Sequence, residues 1–224
     1  MRRQSDAPGM RERRSGRAVK PERDQAPSAF TMILDDLVAR VPGAIAAALV
    51  DAEGETVDYA GWLTPFDVKI AAAHWRIILN QLDALSWMGT TRTLVVRGTT
   101  RSTLARALSE GYAAVLVLAR RAGFVMPERA FSACEVAVAI EAGWPMPPRA
   151  ARWFPVLVEV DARRRPVSIV YGGLAEAVEV LGRLVEAEGR ASLRQQAFRV
   201  RLASGPEITI VREQGGFWYA EEPV

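Results

Sequence analysis

The sequence predicts an α/β (α+β) fold: a five-stranded sheet of order 2-1-5-4-3 with helices on both faces, then a small C-terminal α+β domain. Three observations predict it. Ala44–Val50 and Tyr112–Ala119 are apolar throughout, without the polar alternation of a half-exposed strand, so each needs cover on both faces. Phe66–Met88 has the spacing of one helix of about six turns, with two apolar stripes instead of one. The segment 144–152, WPMPPRAAR, is proline-rich and divides two series of elements.

Residues 1–28 carry eight Arg or Lys against four Asp or Glu, a charge of +4 that leaves −1 for the rest of the chain. With almost no large apolar residues, the segment cannot offset its ordering entropy by burial and is expected to be disordered. An arm for nucleic acid or an anionic membrane is the alternative, although the aromatics that stack on bases are missing. From Ala29 to Arg40, Phe30, Ile33, Leu34, Leu37 and Val38 repeat at helical spacing, with Ser28 as N-cap and Val41-Pro42-Gly43 as the stop. The apolar run Ala44–Val50 turns at Asp51–Gly54 into Glu55–Ala60, whose Val57 and Tyr59 alternate with polar neighbours as an edge strand does. After the long helix come three strands, Thr91–Arg97, Arg101–Leu108 and Tyr112–Ala119, and a helix over Glu128–Ala142 closed by Gly143. With the two continuous runs central, Thr91–Arg97 falls at the far edge, open to pairing with another copy of the chain.

On the long helix, Val68, Ala71, Trp75, Ile78, Leu79, Leu82 and Leu85 form the wider stripe, assigned to the helix's own sheet. Phe66, Ile70, Ala73, Ile77, Ala84 and Met88 lie roughly opposite and are assigned, with Thr93 and Val95 of the edge strand, to a dimer seam. One apolar face is enough for a surface helix; a second calls for a second body, or for a helix buried in a large monomer core. Lys69, Arg76, Asn80 and Asp83 run between the stripes and are the candidate contacts for a third protein.

Little chemistry is on offer. One cysteine, Cys134, and one histidine, His74, allow neither an internal disulfide nor a His/Cys metal cluster. Phosphate-cradling G-x-x-x-x-G-K-[ST] and G-x-G-x-x-G motifs are missing. No cofactor, metal or catalytic residue is therefore assigned, an enzyme is the least supported class, and a cytoplasmic location is expected because no apolar run has membrane-spanning length.

Val41-Pro42-Gly43 before the first strand, Val50-Asp51-x-x-Gly54 in the hairpin, Glu110-Gly111-Tyr112 entering the fifth strand and the order of elements together resemble the roadblock/LC7 domain. The resemblance covers about residues 29–143. It implies homodimerisation through the third strand and the long helix, and a helix-pair platform that binds a Ras-like small GTPase. The reading is thus a non-enzymatic regulatory scaffold; the alternative is an adaptor joining another roadblock-type protein or a polarity or cytoskeletal complex without a GTPase.

Residues 153–224 are read as a β-β-α-β-β-β domain. Its helix is placed at Leu174–Glu188 on the spacing of Leu174, Val178, Leu181 and Val185. Arg163-Arg164-Arg165 is read as a solvated hairpin tip, with an anionic partner as the alternative, and Trp144, Trp153 and Trp218 as seam or core anchors.

Overall fold

A computed structural model describes residues 20–85, 87, 89–120, 122, 127–148, 152–171, 173–184, 196–213 and 215–222. The first half is an antiparallel sheet in the order β2-β1-β5-β4-β3, built from β1 (Ala44–Val50), β2 (Thr56–Gly61), β3 (Thr93–Arg97), β4 (Ser102–Ala107) and β5 (Ala113–Leu118). The two uninterrupted apolar runs are indeed adjacent and central. Alternate residues of each enter different cores. Ala47, Leu49, Leu116 and Leu118 face α1 (Ala29–Arg40) and α3 (Glu128–Ala142), while Ala46, Ala48, Val115 and Val117 face α2 (Pro65–Asp83) alone.

Local signals set the helix ends. The Ser28 side chain accepts from the Phe30 N–H, and the Thr31 hydroxyl accepts in return from the Ser28 N–H, satisfying donors that a helix start leaves open. Gly143 closes α3 at φ 68, a left-handed cap that costs a glycine little. The long helix ends earlier than its apolar spacing suggested, at Asp83. There the Asp83 carboxylate accepts from the Thr91 N–H at 2.6 Å and ties the following loop back to the helix end.

The C-terminal half differs from expectation in one element. Leu174–Leu184 is a strand, β8, not a helix. It belongs to a closed six-stranded barrel with β6 (Trp153–Val160), β7 (Pro166–Tyr171), β9 (Gln196–Leu202), β10 (Glu207–Arg212) and β11 (Trp218–Glu221). Val178 and Val180, two residues apart, pack on the barrel core of Val156, Ile169, Phe198, Val200 and Ile210. The two-residue period therefore won over the weaker i, i+4, i+7 match, because a β-branched Val-x-Val pair fits a pleated surface.

The barrel does not hang on a free spacer. Trp144 rests on Tyr112 at 4.4 Å between ring centroids, the Trp153 N–H donates to Ser132 Oγ at 3.1 Å, and the Arg129 guanidinium lies 4.6 Å from the centre of the Trp153 ring. Tyr219 of β11 enters the same apolar cluster as Leu34 and Phe131. Helices α1 and α3 thereby pack between sheet and barrel, with Met32 and Ile140 at their exposed margins, whereas α2 rests one face on the sheet and leaves Phe66, Ile70 and Ile77 exposed on the other. No helix among the described residues is long and apolar enough to cross a membrane.

Candidate functional site

Val68, Ala72 and Leu79 bury the inner face of α2 against the sheet, with Ala71 and Trp75 beside them. The opposite face remains uncovered: Phe66 is 72% exposed, Ile70 44% and Ile77 47%. Ala73 between them is half-buried and Ala84 beyond the helix end is exposed. Met88 lies outside the described residues. From Phe66 to Ala84 the line follows three- and four-residue steps over about 27 Å at 1.5 Å per residue. An uncovered apolar row of this kind costs solvation until something buries it.

The edge strand adds a directional element. β3 pairs with β4, and Ala107 N–H donates to the Arg92 carbonyl at 3.0 Å. Bonded pairs alternate in an antiparallel ladder. Leu94 and Val96 thus bond to β4, whereas the N–H and C=O of Thr93 and Val95 point away from the sheet. Their side chains lean to the α3 side, where Arg106 Nε donates to Thr93 Oγ1 at 3.3 Å, so on the α2 side it is Leu94 that meets the core. What Thr93 and Val95 offer toward another strand is main chain.

The other sheet edge is covered, by residues that composition had assigned to a disordered tail. Lys20–Pro27 is a strap across β2. Arg23 Nη1 donates to the Tyr59 carbonyl and Gln25 Nε2 to the Val57 carbonyl, occupying two outward acceptors of the edge. The Asp58 carboxylate is the hub beneath. It accepts from Arg23, Ser28 Oγ and Thr31 Oγ1, each at 2.5 Å, from Gln25 at 3.0 Å and from the Tyr59 N–H at 2.7 Å. Burial alone pushes its pKa up, but the donors from Ser28, Thr31 and Arg23 outweigh it and hold the carboxyl below its ordinary value. An acid inside the edge strand Thr56–Gly61 was the sequence signal for this hub. Its partners lie some thirty positions upstream in a stretch that looks solvated.

The polar edge of α2 is largely committed within the chain. Lys69 pairs with Asp24 of the strap at 2.8 Å, and Asn80 donates to the Ala52 carbonyl at 3.1 Å. Asp83 caps the loop as described. Arg76, expected on a solvated stripe, is instead 7% exposed. It lies under the 3-10 turn Ser109–Gly111, where a Cβ on Gly111 would sit 3.9 Å from Arg76 Nη2. Position 76 continues the inward row 68, 72, 79, which a two-stripe wheel divides too coarsely to place. His74 is exposed on this helix. Cys134 is buried on α3, where desolvation pushes its thiol up to about 12. Among the described residues no group of three or more His, Cys, Asp and Glu is placed to hold a metal ion.

The sequence matches no protein-family model and no curated protein. Among solved structures the chain is similar to a roadblock/LC7 domain from Streptomyces avermitilis, at 17% identity over 50% of this chain and 97% of that one, with a TM-score of 0.46. It is also similar to the gliding protein MglB from Thermus thermophilus, at 19% identity over 56% of this chain and 98% of that one, TM-score 0.46. MglB from Myxococcus xanthus matches at 14% identity over 52% and 96%, TM-score 0.45. These neighbours are roadblock/LC7 domain proteins; they account for about half the chain and leave its C-terminal region unmatched.

Proposed function

We propose that the protein is a non-enzymatic regulatory scaffold that homodimerises through the outward face of α2 and the open edge of β3, and so forms a platform for a Ras-like small GTPase. The observation that carries the reading is the uncovered row Phe66, Ile70 and Ile77 in a chain whose third strand also turns the main-chain groups of Thr93 and Val95 outward. Joining two such edges satisfies those groups, and pairing two such helices buries the row, in one symmetric contact where each patch meets its own copy. In this reading residues 29–143 are the dimerising unit, 144–152 the connection and 153–224 an appended barrel.

The GTPase rests on the roadblock resemblance. Of the four polar residues first assigned to it, exposed Asn80 and Asp83 are kept as contacts; Arg76 and Lys69 are spent on packing and on the strap. This internal engagement favours a second reading, an adaptor whose dimer joins another roadblock-type protein and binds no GTPase. A pull-down with purified Ras-like GTPases, loaded with GDP or a non-hydrolysable GTP analogue, separates the two. Retention in either nucleotide state, lost in Ile77→Glu together with the dimer, supports the platform. Failure to retain any GTPase while the dimer persists removes it and leaves the adaptor.

A further inference from the structure

We propose that the mouth of the C-terminal barrel binds a phosphorylated ligand of nucleotide size, held by Arg163, Arg164, Arg165 and Arg183. A cavity of about 490 Å³ opens there, lined by these four arginines with Gln196, Phe198 and the end of β8. Its volume falls within the range of about 300–1,000 Å³ typical of small-molecule sites. No carboxylate lines it, and none of the four guanidinium groups pairs with a carboxylate among the described residues. The other basic side chains of the barrel behave differently: Arg199 pairs with Glu221 at 2.6 Å and Arg201 with Glu207 at 2.8 Å and Glu179 at 3.0 Å. Among the described residues, the guanidinium groups of Arg199 and Arg201 on the barrel wall have carboxylate partners and the four at its mouth do not.

Two local devices converge on this spot. The β6–β7 turn is held by Asp161, whose Oδ1 accepts from the N–H groups of both Arg163 and Arg165 at 2.8 Å, with Arg164 at φ 60 between them. A non-glycine residue in the left-handed region is uncommon, and here it fixes three consecutive arginines on one tight turn. On β8, the pairing shifts from Val180↔Val200 to Gly182↔Arg199, so Leu181 is an extra residue. A bulge re-aims the side chains that follow it. Arg183 consequently stands opposite Phe198, a core-facing residue, at the cavity end, where strict alternation would have turned it away.

The cavity asks for more than charge. Gln196 Oε1 is buried and accepts no hydrogen bond, although it lines the same space. A buried acceptor without a donor is costly, and a ligand N–H or O–H would satisfy it. Arginine forks match phosphate oxygens two at a time. Phosphates at the arginines, with the body of the ligand over Phe198 and donating to Gln196, use every group present. This site belongs to the barrel alone and stands apart from the α2 seam.

Titration calorimetry on the full chain tests it, with ATP and inorganic tripolyphosphate as probes. ATP is expected to bind with salt-sensitive affinity, about tenfold more weakly in Arg183→Gln and again in Arg163→Gln, each losing one charge-assisted contact. Arg163 sits on an exposed turn, so its substitution leaves folding intact. Gln196→Leu is expected to weaken ATP and leave tripolyphosphate unchanged; unchanged ATP binding would place the ligand body elsewhere, equal weakening of both would put Gln196 against phosphate, and either contradicts the pose. An Arg13→Gln, Arg14→Gln chain is the control for the basic N-terminal segment and should bind as wild type. The proposal is overturned if ATP does not bind at millimolar concentration, if Arg183→Gln and Arg163→Gln both bind as wild type, or if binding disappears in the control. It is equally overturned if a single-stranded oligonucleotide binds through these arginines and ATP cannot displace it.

Discussion

Arg23 and Asp58 form an ion pair at 2.5 Å in which the aspartate side chain is 1% exposed, pinning the N-terminal strap onto one edge of the sheet. Edge strands invite uncontrolled pairing and are commonly blocked. The β2 edge is covered by side chains from Arg23 and Gln25, whereas β3 keeps its outward main-chain groups. Of the sheet's two edges, β3 is thus the one open to the self-association proposed above.

Removing the strap's anchor should cost stability at a graded level. Arg23→Ala leaves Asp58 its four other donors and should destabilise by about 1.5–3 kcal/mol, the range for a hydrogen bond to a charged group. Asp58→Ala orphans several donors at once and should cost more. Urea denaturation measures both, and limited proteolysis should cut the 20–28 segment faster in either variant.

The same carboxylate makes the strap acid-sensitive. Asp58 has a pKa below its unfolded value, so its contribution is complete above about pH 4, the ordinary Asp range, and is lost as pH falls through the lowered native value. Asp24 shifts the same way through its hydrogen bond from Lys69, helped by that from Tyr59. Stability against pH should therefore drop below about pH 4 in the wild type, and Asp58→Asn should flatten that limb. An equally steep limb in Asp58→Asn would assign the transition to other groups.

The two faces of α2 should respond oppositely to truncation. Leu79 is fully buried, and Leu79→Ala should destabilise by about 2–5 kcal/mol through lost transfer energy and a residual cavity. Ile77→Ala, on the exposed face, should leave the stability of a dilute chain within about 0.5 kcal/mol. Thermal unfolding at low and high protein concentration separates the two.

Cys134 should be inert. Its buried thiol is raised to about 12 and holds almost no thiolate at neutral pH. Thiol titration should give no reaction in the native chain and one equivalent in denaturant; rapid native labelling would mean that the α1–α3 interface opens.

Much of this was legible where chemistry is local. The uninterrupted runs at β1 and β5, Ser28 as a cap and Gly143 as a stop place the sheet and its helices from spacing alone, and the two stripes of α2 separate Leu79 from Ile77. What escaped depends on distant partners. Arg23 looks solvated until Asp58, thirty-five positions on, is folded beneath it. Arg76 is polar by type yet sits on the inward row. Leu174–Leu184 carries a helical spacing beside its two-residue period, and the packing of Val178 and Val180 on the barrel core, which no spacing shows, settles it as a strand. Arg183 is turned into the barrel mouth by a bulge, a device with no periodic signature.

Light scattering across the micromolar range, on the wild type, Ile77→Glu and Val95→Pro, tests the dimer seam most directly. Proline at position 95 removes an outward N–H and no bond to β4. The expected result is a wild-type mass of twice the 24.5 kDa chain and monomers for both variants. A wild type that stays strictly monomeric, or an Ile77→Glu chain that remains a dimer, would contradict the seam.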